Sequence, residues 1–298
     1  MAKKSSLASA VKSPYLVPFD GKWRLKDADH KPPKNAPSGK SGKNKNKKSL
    51  AKEVDSLRDL QERLYADDHY SVLLVFQAMD AAGKDGTIRA VMSGINPAGC
   101  QVVSFKRPSS NELDHDFLWR VHSKTPERGR IGVFNRSHYE EVLVVKVNPG
   151  ILDSQRLPQQ PKSVFEDRYE SIRDFEEHLA RNGTVVIKFF LNVSRDEQKE
   201  RFLARIADPE KNWKFEAADL DVREDWDEYM KAYQEALNET SRPHAPWYVI
   251  PADDKPFMRT TVAGIVRKTL EKLDLKFPKL SDEEMAELGS YKEALENE

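Results

Sequence analysis

The most constraining feature of the sequence is a short apolar run that passes directly into a loop carrying a glycine and a lysine. The run covers residues 72–77, and the loop reads Ala78-Met-Asp-Ala-Ala-Gly-Lys84 before a helical stretch over 88–92. A loop between a strand and a helix directs backbone N–H groups, and the positive end of the helix dipole, at a bound anion. The segment therefore predicts a phosphate-binding loop in an α/β fold, in which Gly83 permits the tight backbone and Lys84 reaches the phosphates.

This loop matches the Walker A pattern Gly-x4-Gly-Lys-Ser/Thr incompletely. The pattern requires a glycine at 78 and a hydroxyl at 85, where this chain has Ala78 and Asp85. Because that hydroxyl normally binds Mg²⁺, another oxygen ligand has to replace it, and Asp80 is the candidate. The alternative for Asp80 is an ordinary turn residue. For Lys84 the alternative is a solvated lysine, which a helix N-terminus disfavours unless the cation serves an anion.

Short β-type runs alternate with helical segments along the chain. The predicted strands cover residues 72–77, 102–105, 131–134, 185–192 and 247–250. Helices are predicted from residue 53 onward, over 163–182, over about 194–207 behind a capping box, and over about 223–239. Strands that alternate with helices imply a parallel sheet covered on both faces, so the expected fold class is three-layer α/β.

Composition divides the chain into three predicted parts. Residues 1–52 are polar and basic with little to bury, which predicts a largely flexible arm, either a solvated linker or an arm that contacts a polyanion. An apolar patch within it, Tyr15, Leu16, Phe19 and Trp23, could dock on the body or on a neighbouring subunit. From residue 53 apolar residues recur at helical spacing, so an ordered domain is expected over 53–275, with a lid at about 194–222. Residues 276–298 are rich in Glu and predict an acidic tail.

The overall composition excludes several classes of protein. Charged residues make up 33% and hydrophobic residues 38% of the 298 residues, and no apolar run approaches the roughly 20 residues that a bilayer requires. Cys100 is the only cysteine, so an internal disulfide is excluded and no zinc-ligand spacing is present. No signal-peptide pattern is recognisable at the start. We expect a cytoplasmic protein without membrane contact.

A second polar group follows the strand predicted at 131–134. Asn135 and Arg136 come directly after it, and ligands in open α/β sheets bind beyond the carboxyl ends of strands. If the two strands are adjacent, these residues lie beside the phosphate loop, where Arg136 could clamp two phosphate oxygens. Glu140 and Glu141 either orient a metal or nucleotide or lie on a solvated helix face.

The third group is cationic. Arg201 and Arg205 lie one turn apart on one face of a predicted helix, and Lys211 and Lys214 extend the positive strip. Together with the phosphate loop they predict a mobile lid that closes over phosphates and excludes water. The alternative is a structural face paired with neighbouring carboxylates. Lys106, at the end of the second strand, is either a substrate contact or part of a turn.

Four segments in combination resemble the second polyphosphate kinase family. They are Ala78-Met-Asp-Ala-Ala-Gly-Lys-Asp-Gly86, Met92-Ser-Gly-Ile-Asn-Pro97, Phe134-Asn-Arg-Ser-His-Tyr139 and Asp208-Pro-Glu-Lys-Asn-Trp-Lys214. Each segment alone is weakly specific, and the resemblance covers residues 53–275. It implies a P-loop fold of the thymidylate-kinase type with a helical lid, and frequent assembly into homodimers or homotetramers.

The resemblance also implies Mg²⁺-dependent, reversible phosphoryl transfer between polyphosphate and AMP, ADP or ATP. Mn²⁺ is an alternative metal, and guanine nucleotides are alternative acceptors. The family's roles carry over to Asp80, Lys84, Arg136, Arg201 and Arg205. Many members have Asp, which helps to hold the metal, where this chain has Asn135. At this position the chain resembles the subgroup that accepts both AMP and ADP. Without the second carboxylate, the number of bound metal ions stays open.

The candidate site therefore has two sets of residues. The catalytic candidates are Asp80, Lys84, Arg136 and Asn135, with Asp80 as the metal ligand. The substrate-binding candidates are Ala81, Ala82, Gly83, Asp85, Gly86, Thr87, Lys106, Glu140, Glu141, Arg201, Arg205, Lys211 and Lys214. No general base is expected, because the second pKa of an acceptor phosphate lies near 6, roughly one unit below neutral pH. Positioning and charge neutralisation suffice.

Two other functions compete with this interpretation. One is a nucleoside or nucleotide kinase that takes phosphate from ATP with the same fold and loop. The other is a P-loop protein whose basic arm binds nucleic acid and which uses ATP as a switch. The sequence shows no stacked-aromatic platform and no nucleic-acid-binding module, so no nucleic-acid partner is expected.

Overall fold

The computed structural model describes residues 9–158 and 163–298, and within them a parallel sheet forms the centre of the molecule. Its order is β2-β3-β1-β4-β5. The strands are β1 Ser71–Gln77, β2 Cys100–Ser104, β3 Ile131–Asn135, β4 Thr184–Asn192 and β5 Trp247–Pro251. All neighbouring pairs are parallel, as the alternating pattern predicted. The expected α/β fold class is confirmed.

The α-helices connect the strands and flank the sheet. In chain order they are α1 Gly39–Asp67, α2 Lys84–Val91, α3 Ser110–Leu113, α4 Trp119–His122, α5 Val144–Val147, α6 Val164–Arg181, α7 Arg195–Ala207, α8 Ala218–Glu224, α9 Trp226–Thr240, α10 Lys255–Glu271 and α11 Asp282–Glu296. Helices α1, α2 and α10 pack as one group, and α5, α6 and α9 as another. The predicted helix over 223–239 is two helices, because the chain breaks at Asp225.

Side chains of β4 show how the two helical groups occupy opposite faces. Lys188 contacts Glu176 of α6, and Phe190 packs on Tyr233 of α9. Successive side chains of a strand point to opposite faces, so the intervening Phe189 faces the other layer. Because β4 is covered on both sides, all nine of its residues are buried. This is the continuous apolar run expected of a central parallel strand.

The segment before α1 differs from the flexible arm expected over residues 1–52. The described part of it packs along β5, where Val17 N donates to Trp247 O (2.9 Å) and Val249 N donates to Tyr15 O (2.8 Å). These bonds cover backbone groups that an edge strand would otherwise leave unpaired. Tyr15, Leu16 and Trp23 of the apolar patch pack against the core, so within this chain the patch docks on the body.

Helix α1 begins fourteen residues before the point where its apolar pattern starts. The pattern predicted a helix from Glu53, whereas α1 begins at Gly39. Its first turn is fixed by tertiary contacts, since Gly39 N donates to Asp254 Oδ2 (2.7 Å) and Asn46 Nδ2 donates to Pro37 O (2.7 Å). Polar tertiary bonds of this kind leave no hydrophobic periodicity, so the pattern could not locate the helix start.

The predicted acidic tail, residues 276–298, contains the exposed helix α11. A capping box of Ser281 and Glu284 begins this helix. Across the described residues, no helix is long and apolar enough to cross a membrane.

Candidate active site

The phosphate loop leaves the carboxyl end of β1 and runs into α2. Gly83 has φ +106°, a conformation that side-chain-bearing residues rarely adopt, and Ala81 also has a positive φ of +58°. Lys84 is the first residue of α2, so the unpaired N–H groups of the first helical turn face the region beyond the sheet edge. The predicted strand, loop and helix are all present, and they form an anion-binding concavity.

Lys84 lies inside this loop. Its side chain is buried, and Nζ donates to Ala78 O (2.6 Å) and, more weakly, to Met79 O (3.5 Å). Burial lowers the pKa of Lys84, and the nearby carboxylate of Asp80 opposes that shift. The ammonium is therefore held where bound phosphate oxygens would stabilise its charged form.

Arg136 lies directly beside Asp80. Pairing of Phe76 with Asn135 in neighbouring strands places the chain end after β3 next to the phosphate loop. Arg136 N donates to Phe76 O (3.1 Å), and its Nη2 donates to Asp80 Oδ1 (2.9 Å). Burial lowers the pKa of Arg136, but Glu140 and Asp80 outweigh burial, so the pKa lies above its ordinary value. Both predicted catalytic groups thus meet at one sheet edge.

Asp85, which departs from the Walker A pattern, contacts Asn135, which departs from the family pattern. Asn135 Nδ2 donates to Asp85 Oδ1 at 2.7 Å. Asp85 occupies the position of the usual Walker hydroxyl, and Asn135 that of the usual strand-end Asp. An amide opposite a carboxylate forms a hydrogen bond, whereas a second carboxylate at this distance would repel the first.

Three predicted substrate-binding residues do not line the cleft. Thr87 is fully buried, and its Oγ1 donates to Gly83 O (2.9 Å), so it supports the loop from below. Glu141 is also buried and accepts from Gln155 Nε2 (2.6 Å) and Arg168 Nη1 (3.2 Å). Glu140 and Glu141 are consecutive residues of a 3-10 turn, so their side chains point in different directions. The sequence alone did not show that Glu141 is the one held by Gln155 and Arg168.

Glu140 lies behind the cleft rather than in its wall. Burial raises its pKa, although Arg136 and Lys84 counteract the shift. It therefore contributes negative charge near the two cations, although it is not among the residues that line the cleft. Its predicted role in orienting a metal or nucleotide stays a prediction.

Arg201 ties the lid helix α7 to the phosphate loop. Its Nη1 donates to Ala82 O (2.6 Å) and Ala81 O (3.2 Å), and its Nε donates to Glu197 Oε1 (2.7 Å). Nη2 donates to Ala252 O (2.7 Å), just beyond β5. Because this guanidinium bonds carbonyl groups of the phosphate loop and of the segment after β5, it holds the loop in its observed conformation. The sequence predicted Arg201 only as a substrate-binding residue of the lid.

The remaining lid cations are more exposed. Arg205 Nη1 lies 3.6 Å from Asp219 Oδ2, and Lys214 Nζ lies 5.1 Å from the centroid of the Trp213 ring. Lys211 forms a surface ion pair with Asp208. Exposed ion pairs are weak and exchange readily for other anions.

These groups surround a cleft of about 1390 Å³. Of the predicted site residues, all except Thr87, Glu140 and Glu141 line it. The described residues contain no cluster of three or more His, Cys, Asp or Glu side chains that could hold a metal by themselves. Mg²⁺ commonly uses one or two carboxylates together with substrate phosphates and water, so the partly exposed carboxylate of Asp80 fits this ion.

Comparison with known proteins decides the family. Residues 40–278 match the family model described as polyphosphate kinase 2. The chain belongs to the polyphosphate kinase 2 family. Its polyphosphate kinase fold is similar to the crystal structure of polyphosphate kinase 2 from Arthrobacter aurescens TC1, with a TM-score of 0.85 and 37% identity over 96% of this chain and 99% of that one.

Two polyphosphate kinase 2 relatives have more specific names. An ADP-polyphosphate phosphotransferase of Rhodopseudomonas palustris is 55% identical over 83% of this chain and 86% of the relative. An AMP/ADP-polyphosphate phosphotransferase of Meiothermus ruber is 46% identical over 89% of this chain and 94% of the relative.

The cleft of this polyphosphate kinase also contains four cations that were not among the predicted site residues. They are Arg89, Arg107, Lys255 and Arg259. Gly86 allows Arg259 to approach the loop, since a Cβ there would lie 2.9 Å from Nη2. The Arg259 Nε is buried and has no hydrogen-bond partner among the described residues. The available signal was the i, i+4 spacing of Lys255 and Arg259 on the helix after the last strand.

Proposed function

We propose that this polyphosphate kinase catalyses Mg²⁺-dependent, reversible phosphoryl transfer between inorganic polyphosphate and nucleoside mono- and diphosphates, with AMP and ADP as the main acceptors. The names of the two similar phosphotransferases support this choice of substrates. The asparagine at position 135 supports it too, because the subgroup that accepts both nucleotides resembles this chain at that position.

The charge of the cleft is the observation that carries the proposal. Among the described residues, eleven Lys or Arg side chains line it against seven Asp or Glu, and Phe105 is its one aromatic residue. Burial lowers the pKa of Arg259, and the charges of Arg89 and Arg201 lower it further. Cations that destabilise one another in this way are stabilised by a polyanion. Polyphosphate carries no nucleobase, so a cleft with little aromatic surface suits it as the phosphoryl donor.

Lys84 and Arg136 are the groups best placed to neutralise charge on the transferred phosphoryl group. Arg136 uses only one of its N–H groups on Asp80, so the others can bind phosphate oxygens. The N–H groups of the first turn of α2 add further donors, and the Arg201 contacts fix their direction. The acceptor phosphate is already an oxyanion at neutral pH, so no side chain has to remove a proton.

Asp80 is the residue that would hold Mg²⁺. A bound Mg²⁺ would supply positive charge that offsets the negative charge of the phosphates during transfer. Only Oδ1 of this carboxylate accepts from Arg136, so Oδ2 would be available to the metal. We propose Mn²⁺ as a substitute ion, guanine nucleotides as secondary acceptors, a cytoplasmic location and a homodimeric or homotetrameric assembly.

A donor comparison tests the proposal. Purified protein with Mg²⁺ is incubated either with polyphosphate and AMP or ADP, or with ATP and a nucleoside, and the products are separated by chromatography. We expect ADP or ATP to form from polyphosphate. Phosphorylation of the nucleoside by ATP, without any product from polyphosphate, would instead establish the rival ATP-dependent kinase.

A further inference from the structure

The N-terminal half of α1 carries a dense group of lysines outside the cleft. Six exposed lysines occur between residues 40 and 52, namely Lys40, Lys43, Lys45, Lys47, Lys48 and Lys52. Throughout residues 9–158 and 163–298, no carboxylate forms an ion pair with any of them. The lysines therefore form a strongly positive surface whose charge is not neutralised by the protein.

This charge opposes formation of the helix that carries it. The N-terminal end of a helix is the positive end of its dipole, so cations there are unfavourable. Lysines four residues apart, such as Lys43 and Lys47, also repel each other. Ser38 precedes the helix but forms no side-chain capping bond. A bound polyanion would relieve both unfavourable interactions.

The lysine group of α1 lies next to one end of the cleft. Helices α1 and α10 are parallel, since Gly39 N donates to Asp254 Oδ2 (2.7 Å) and Thr260 Oγ1 donates to Asn46 O (3.1 Å). Asp254 caps α10, whose first turns contribute Lys255 and Arg259 to the cleft. The N-terminal ends of the two helices therefore lie together at the same edge of the sheet.

One flank of α1 continues the positive surface. Lys40, Lys43 and Lys47 have i, i+3, i+7 spacing and lie on the same side of the helix as Val54. Val54 contacts the chain just after α2, since a Cβ on Gly94 would lie 2.5 Å from its Cγ1. Arg89 of α2 lines the cleft. The flank of α1 that carries these three lysines therefore lies on the same side of the molecule as Arg89.

We propose that Lys40, Lys43 and Lys47 form an outer polyphosphate site, which binds the distal part of a long chain whose reacting end lies in the cleft. The proposal rests on the proposed function. Nucleic acid fits the surface less well, because binding of single strands uses aromatic side chains on which bases stack, and the residues between these lysines are Ser41, Gly42, Asn44, Lys45 and Asn46, none of which is aromatic. The outer site would make affinity depend on chain length without changing the chemistry at Lys84.

The test compares two variants that lose the same charge. The first is Lys40→Gln/Lys43→Gln/Lys47→Gln. The control, Lys231→Gln/Lys276→Gln/Lys292→Gln, changes exposed lysines that pair with Glu228, Asp274 and Glu296 away from the cleft. KM is measured with ADP and either long-chain polyphosphate or tripolyphosphate. For the first variant we expect KM for the long chain to rise about 10-fold with kcat retained, and the long-to-short ratio of kcat/KM to fall by a similar factor.

A binding measurement gives a readout independent of turnover. Affinity for long-chain polyphosphate is titrated against salt, and removal of three contacts should lower the slope of log K against log salt by about 2 relative to the control. An unchanged slope, or an equal rise of KM for tripolyphosphate, would overturn the outer site. Competition by single-stranded RNA that the first variant abolishes, with polyphosphate binding intact, would also overturn it. Failure of the wild type to use polyphosphate at all would count against the proposed function instead.

Discussion

Asn135 donates a 2.7 Å hydrogen bond to Asp85, so the residue after the phosphate-loop lysine and the last residue of β3 form one unit. Each of them departs from the common pattern of its own motif, and the contact places the two departures side by side. An isolated comparison of either motif would treat them as two unrelated substitutions.

The first prediction concerns this pair. Asn135→Asp places two carboxylates in contact, which should lower the free energy of unfolding by about 1 kcal/mol without Mg²⁺ because like charges repel. Added Mg²⁺ should then raise the melting temperature more than it does in the wild type. Calorimetry with and without the ion measures both effects. The exchange variant Asp85→Asn/Asn135→Asp restores the hydrogen bond with its partners reversed and should recover the wild-type value. No recovery would show that the pair is not coupled.

The second prediction concerns Arg201 as a positioning residue. Arg201→Lys keeps the charge but cannot reach the carbonyls of Ala82 and Ala252 together, so buried carbonyls lose their partner. We expect a loss of about 3 kcal/mol in the free energy of unfolding and a fall in kcat. Arg205→Lys on the same helix is the matched control, since Arg205 lies on the cleft side near Asp219 and does not bond the loop. Equal stability of the two variants would contradict the positioning role.

The third prediction separates donor from acceptor binding. Arg259→Gln removes a cation whose Nε has no protein partner in the described part of the chain, so KM for polyphosphate should rise about 10-fold while KM for ADP changes little. Lys268→Gln, an exposed lysine of the same helix, serves as the control. Steady-state kinetics with each substrate varied in turn measures the effect. A matching rise in KM for ADP would place Arg259 at the acceptor instead.

The fourth prediction concerns a buried network behind Arg136. Lys188 donates to Tyr139 Oη (2.8 Å) and pairs with Glu176, while Tyr139 Oη donates to the other oxygen of Glu176 (2.8 Å). Burial lowers the pKa of Lys188 to about 8, and Glu176 opposes the shift. The unfolded lysine keeps its ordinary pKa, so between pH 8 and 10 the unfolded state binds more protons than the folded state. The contribution of Lys188 to stability therefore rises with pH in that window.

Urea unfolding from pH 7.5 to 9.5 checks the sign. Relative to Lys188→Met/Glu176→Leu, the wild type should gain up to about 1.4 kcal/mol per pH unit above pH 8. The single variant Lys188→Met leaves the buried Glu176 without its cationic partner, and it should cost about 3 to 5 kcal/mol at pH 7. A pH-independent difference between the wild type and the double variant would contradict the shifted pKa of Lys188.

The sequence predicted local chemistry better than it predicted contacts between distant segments. The phosphate loop was recognisable because Gly83 and Lys84 lie between a strand and a helix, and strand order then placed Arg136 beside it. Glu141 and Thr87 do not line the cleft, because tertiary packing, which the sequence pattern does not show, sets the direction of their side chains. Arg259 was missed because its approach depends on Gly86, 173 residues earlier in the sequence.

The central claim is that Lys84 and Asp80 support phosphoryl transfer from polyphosphate to a nucleotide. The most direct measurement is kcat for ATP formation from ADP, Mg²⁺ and long-chain polyphosphate in the wild type, Lys84→Ala and Asp80→Ala, with Lys231→Ala as the control. We predict rapid ATP formation by the wild type and the control, and a fall of at least about 100-fold in each site variant. Near-normal turnover in either site variant, or no ATP from the wild type, would contradict the account.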